Sequence, residues 1–83
     1  MAGTVHTAAY KRLLAELVEV RTKAGFSQAQ LADILGKPAS FVGKYELGER
    51  RLDVIELLVV LKALGNDGSD FLFQLQQHLP ARL

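Results

Sequence analysis

Residues 28–46 read QAQLADILGKPASFVGKYE, two short helix-forming stretches parted by a glycine. Ser27, just before the stretch, and Gln30, three positions later, form a capping-box pair that satisfies orphan N–H groups at a helix start. Leu31, Ile34 and Leu35 give that helix one apolar stripe, and Gly36 ends it. Pro38 fits the first turn of the next helix, where its missing N–H costs nothing. Val42 and Tyr45 provide that helix with an inward face before Gly48 closes it.

Upstream, Tyr10, Leu13, Leu14, Leu17 and Val18 recur at helical spacing, predicting a helix over residues 10–23 that Ala24 and Gly25 terminate. Downstream, Asp53 and Glu56 form a second capping pair. They open a helix whose Val54, Leu57, Leu58, Leu61 and Leu64 are expected on one side, with Gly65 as its stop. Asn66, Asp67 and Gly68 are turn residues, and residues 69–78, with Phe71, Leu72 and Leu75, then Leu79, read as a last helix before Pro80. The pattern contains no alternating strand period, repeat or linker.

The 83 residues suffice for one domain, and an apolar share of 49% with 2 prolines predicts a packed core. No cysteine is present, which excludes disulfides and thiolate metal sites and agrees with a reducing cytoplasm. Residues 1–7 lack the basic and apolar regions of a secretion signal. The most apolar stretch, residues 54–64, contains Glu56 and Lys62 and is too short to span a bilayer. His6 and His78 stand at opposite ends with no ligand spacing around them, so no metal is expected. With no nucleophile and base pair and no phosphate-binding glycine loop, neither an enzyme nor a cofactor is expected. A net charge of +1 means that contact with nucleic acid must rest on locally placed Lys and Arg.

Five short helices, the second and third joined by a glycine-centred turn, is the order of a helix-turn-helix, whose later helix enters the DNA major groove. The residues at fixed offsets sharpen this. Gln28, Ala32 at the helix crossing, Gly36 in the turn, and Val42 and Tyr45 in the following helix resemble the phage-repressor and Cro type of helix-turn-helix, the Xre family. Arg21, Gly25 and Phe26 before the motif, and Gly48, Glu49, Arg50, Ala63, Leu64 and Gly65 after it, extend the resemblance over about residues 10–75. The implied fold is all-α, a five-helix, lambda-repressor-like DNA-binding domain with the helix-turn-helix formed by helices 2 and 3. Its expected boundaries are a flexible N-terminal arm over residues 1–9, the domain over residues 10–79 and a tail over residues 80–83.

The resemblance implies roles for individual residues. Ser27 and Gln28, at a helix N-terminus, would face a DNA phosphate, and Gln28 would also reach a base. Ala39, Ser40 and Lys44 would lie on the reading face of the recognition helix, with Phe41 and Gly43 beside them. Lys44 would donate to guanine, and Phe41 or Ala39 would touch a thymine methyl, unless the Phe41 ring folds back into the core. Arg50 and Arg51 suit backbone phosphates. Arg21 and Glu46 match two positions that form a structural ion pair. Two residues depart from the pattern: Lys37 replaces an apolar turn residue, and Gly43 inside a helix costs roughly 1 kcal/mol relative to Ala.

The expected function is sequence-specific double-stranded DNA binding by a cytoplasmic repressor acting as a homodimer on an approximately palindromic operator. Ile55, Val59 and Phe73, apolar but off the predicted core stripes, are the expected dimer surface. The alternative is that residues 74–83 fold over Ile55 and Val59 within one chain. Competing functions are an antitoxin that also binds a cognate toxin, and a protein-interaction adaptor on the same scaffold.

Overall fold

The computed structural model describes residues 7–82. Five helices follow in order: α1 (Ala8–Lys23), α2 (Gln28–Leu35), α3 (Ser40–Glu46), α4 (Val54–Ala63) and α5 (Ser69–Gln76). No strand occurs among the described residues. Helix α1 begins two residues before the expected Tyr10, because Thr7 Oγ1 accepts from the Tyr10 N–H at 3.1 Å and so serves as the cap. Apart from Thr7, Ala8 and Ala9, the expected N-terminal arm lies outside the described residues, as does His6.

Both capping boxes form. Ser27 Oγ accepts from the Gln30 N–H while the Gln30 side chain accepts from the Ser27 N–H, and Asp53 and Glu56 do the same at α4. Gly36, with φ at 69°, takes the left-handed conformation that ends α2 and lets the Lys37 N–H bond back to the Ala32 carbonyl at 2.9 Å. Pro38 is not in the first turn of α3. It stands two residues earlier, its carbonyl accepting from the Phe41 N–H at 2.9 Å, so a tighter turn leads into the helix. Before α5, Asn66 Oδ1 accepts from the Gly68 N–H and Asp67 Oδ1 from the Ser69 N–H, side-chain turns that set the entry angle. That helix ends at Gln76, two residues short of expectation.

The core draws on every helix: Leu13, Leu14 and Leu17 from α1, Leu31 and Ala32 from α2, Val42 and Tyr45 from α3, Leu57, Val60 and Leu61 from α4, and Phe71 and Leu75 from α5. Ile34, Val54 and Leu58, and on the last apolar stripe Leu72 and Leu79, lie outside it. Ile34 is 51% exposed, because α2 turns residues 31, 32 and 35 inward. On α4 the inward spacing is Leu57, Val60, Leu61 and then Leu64. Val54, 69% exposed in the first turn, therefore lies past the rim of the core, and Leu58 flanks the stripe. The tail leaves Ile55 and Val59 uncovered: they are 68% and 50% exposed, which removes the single-chain alternative for this surface.

Candidate nucleic-acid interface

Helices α2 and α3 pack on each other, with Ala32 against the crossing and α1 behind α3. Val42 and Tyr45 are fully buried, so α3 is held by one face. Helical geometry then directs Ala39, Ser40 and Lys44 outward, and all three are exposed. Gly43 lies between the two faces, and a β-carbon there would meet Gln28 Oε1 at 3.4 Å. The Gln28 side chain thus spans from the start of α2 across α3.

A polar network fixes that arrangement. Arg21 donates from Nε to Glu46 Oε2 at 2.7 Å, from Nη2 to Oε1 at 3.2 Å and from Nη1 to the Phe26 carbonyl at 2.8 Å. Glu46 Oε1 also accepts from Gln28 Nε2 at 2.8 Å. One carboxylate thereby joins the end of α1, the start of α2 and the end of α3. With the two side chains of the ion pair only 11% and 6% exposed, little water competes for it. The Tyr45 hydroxyl beside this network is buried without a hydrogen-bond partner, and burial pushes its pKa up.

In the loop after α3, Arg50, one of the two expected phosphate ligands, already has partners on the chain. Arg50 turns its guanidinium back on the protein: Nη2 donates to Glu56 Oε2 at 2.7 Å, and Nη1 donates to Glu56 Oε1 at 3.1 Å and to the Arg51 carbonyl at 2.7 Å. The paired guanidinium and the Asp53 N–H hold the Glu56 carboxyl down at about 2. The Arg50 guanidinium also lies 4.9 Å from the Phe41 ring centroid, with Lys37 Nζ at 5.5 Å. Phe41 is therefore half-buried between two cations, its ring edge-on to Tyr45 at 5.7 Å, rather than fully in groove or core. Lys37 supplies a cation to an aromatic face where an apolar residue was expected. Ser27 and Arg51 are exposed, Ser27 at the start of α2 and Arg51 ahead of Asp53.

Several functional details escaped sequence reading. The Arg50–Glu56 pair was hidden because Glu56 is also the capping-box acid, and that role accounted for it. Tyr10 Oη accepts from the Leu52 N–H at 3.1 Å, anchoring the loop to α1. Leu47, at the end of α3, is 76% exposed. Nothing in its local sequence distinguished it from a core leucine. Among the described residues no three His, Asp or Glu side chains come together as metal ligands, and His78 bonds instead to Arg12. Among the described residues no helix is long and apolar enough to cross a membrane.

A short helix crossing held by a small residue and a left-handed glycine, with a second helix exposing its outer side, defines a helix-turn-helix domain. The Helix-turn-helix family model matches residues 17–71. A solved structure described as an XRE-family like protein from Pseudomonas syringae pv. tomato str. DC3000 is 45% identical to the chain. The likeness covers 93% of this chain and 94% of that one, with a TM-score of 0.84. No curated protein matches. The chain belongs to the XRE-like helix-turn-helix family, a family of DNA-binding regulators.

Proposed function

We propose that the chain is a sequence-specific repressor that binds an approximately palindromic operator as a homodimer. The carrying observation is the division of α3: Val42 and Tyr45 are fully buried, while Ala39, Ser40 and Lys44 face solvent on the opposite side. Lys44 reads guanine, Ser40 and Ala39 tolerate or touch neighbouring bases, and Gly43 lets the DNA approach the helix backbone. Ser27, Gln28 and Arg51 take phosphates, and Arg50 acts from behind by clamping the loop. Because the Gln28 amide is already held by Glu46, it meets DNA with its orientation set.

A gel shift with the DNA upstream of the chain's own gene, followed by fluorescence titration, tests this. Lys44→Ala should weaken operator binding by about 1–3 kcal/mol and leave non-specific binding nearly unchanged. Arg51→Ala should weaken binding to every sequence and reduce the salt slope by about one. Wild-type protein that shifts no DNA sinks the repressor reading, and an unchanged Lys44→Ala affinity removes that residue from base reading.

The exposed apolar surface of α4 and α5 supports a second reading, in which a protein partner such as a cognate toxin occupies it. An adjacent toxin gene, and a complex of its product with this chain that Ile55→Lys disrupts, distinguishes an antitoxin from a simple repressor.

A further inference from the structure

We propose that a groove formed by the start of α1, the end of α5 and the residues after it binds a small amphipathic carboxylate, an apolar body with one acidic head. The groove has a volume of about 530 Å³ and is lined by no residue of α2, α3 or α4. That size lies within the roughly 300–1,000 Å³ of small-molecule sites. Leu13 and Leu75, each 9% exposed, form an apolar floor that reaches into the core. Leu79 and Pro80 extend the apolar lining beyond the end of α5.

The Thr7 and Tyr10 hydroxyl oxygens at this groove already accept from backbone N–H groups, which leaves Arg82 and His78 as its nitrogen-bearing side chains. Arg82 lines it and makes no hydrogen bond or ion pair with a described residue. His78 also lines it, and its Nε2 lies 3.1 Å from Arg12 Nη2. A guanidinium has no acceptor, so in this contact Nε2 accepts and Nδ1 remains as the ring's other polar atom. Arg12 is at the same time paired with Glu16 at 3.0 Å, so among the described residues the cation left without an ion-pair partner at the rim is Arg82. Apolar walls with one guanidinium that is unmatched among the described residues, and an imidazole beside it, complement a monoanion with a hydrophobic body. A neutral hydrocarbon would leave Arg82 unused, and a polyanion would meet too much apolar surface.

Calorimetric titration and thermal melts of the full chain with octanoate, and with 1-octanol as the neutral match, test the proposal separately from any DNA binding. Octanoate should raise Tm saturably and bind about tenfold more tightly than 1-octanol. Arg82→Ala should bring octanoate down to the affinity of 1-octanol without altering the Tm of the unliganded protein. Leu79→Trp, filling the groove from a half-exposed position, should lose both ligands. The proposal is overturned by the absence of saturable octanoate binding, or by a preference for octanoate that survives Arg82→Ala. It is equally overturned by binding that emerges only when residues 1–6 are removed, which would make the chain's own start the occupant.

Discussion

Glycine at position 43 sits inside α3 without positive φ, and the nearest atom to the place a methyl group would take is Gln28 Oε1 at 3.4 Å, an ordinary van der Waals contact. Neither backbone nor space requires glycine there, and the helix is weaker for it. Gly43→Ala should therefore stabilise the fold by about 0.5–1 kcal/mol, a Tm rise of several degrees, while the added methyl on the reading face weakens operator binding. Parallel melts and DNA titrations check both halves. A variant that is more stable and binds equally well would show that DNA does not come close at this point. Lys37 illustrates the limit of reading single residues. As a substituted turn position it looked like a defect, yet its ammonium lies over Phe41, a partner four positions away in α3. Burial of Val42 and Tyr45 was legible because helical period alone determines it.

Helix starts were legible for a related reason, since both capping boxes are contacts between residues three apart and need no tertiary structure. Which apolar residues face inward was harder to read. The period of α4 is unmistakable, but its phase against α2 decided that Val60 is buried and Val54 is not. Contacts between elements carry the largest predicted stability effect. With the Arg21–Glu46 pair nearly buried, Arg21→Ala leaves a carboxylate with only Gln28 as side-chain partner and should cost about 3–5 kcal/mol. Replacing Arg21 with Met and Glu46 with Gln together should cost less than the single change. Chemical denaturation measures both, with Arg21→Lys as a milder variant if Arg21→Ala does not fold, and an unaltered midpoint for Arg21→Ala would dismiss the pair. The Arg50–Glu56 pair makes a pH prediction. Glu56 drops from its ordinary 4.5 to about 2 on folding, so its contribution is complete above about pH 4.5 and is lost as pH falls through 2. The Tm difference between wild type and Glu56→Gln should be constant near neutrality and shrink only across that acid window. A difference that vanishes already between pH 7 and 5 would contradict the assignment.

At the scale of the molecule, α3 has 7 residues and spans about 10 Å, enough for only a few base pairs. The described residues measure 36 × 29 × 19 Å, comparable with the roughly 34 Å that separates successive major grooves. Ile55, Val59 and Phe73, 68%, 50% and 59% exposed, are the apolar residues on which the proposed pairing of two copies rests. Ile55→Lys or Phe73→Lys should turn dimers into monomers in sedimentation at micromolar concentration and weaken operator binding far more than half-site binding. A wild type that sediments as a monomer while bound to a full operator would sink the dimer. The apolar character of this surface and its place off the core stripe were legible in the sequence because helical period alone determines them. The ties from α1, Arg21 to the end of α3 and Tyr10 to the loop beyond it, also bear on transplantation. A 7-residue helix lies well below the about 12–15 residues at which isolated helices become marginal in water. Residues 28–46 excised as a peptide, or grafted onto a scaffold lacking the first helix, would keep Gln28, Ala39, Ser40 and Lys44 and lose the shape that makes them an alphabet.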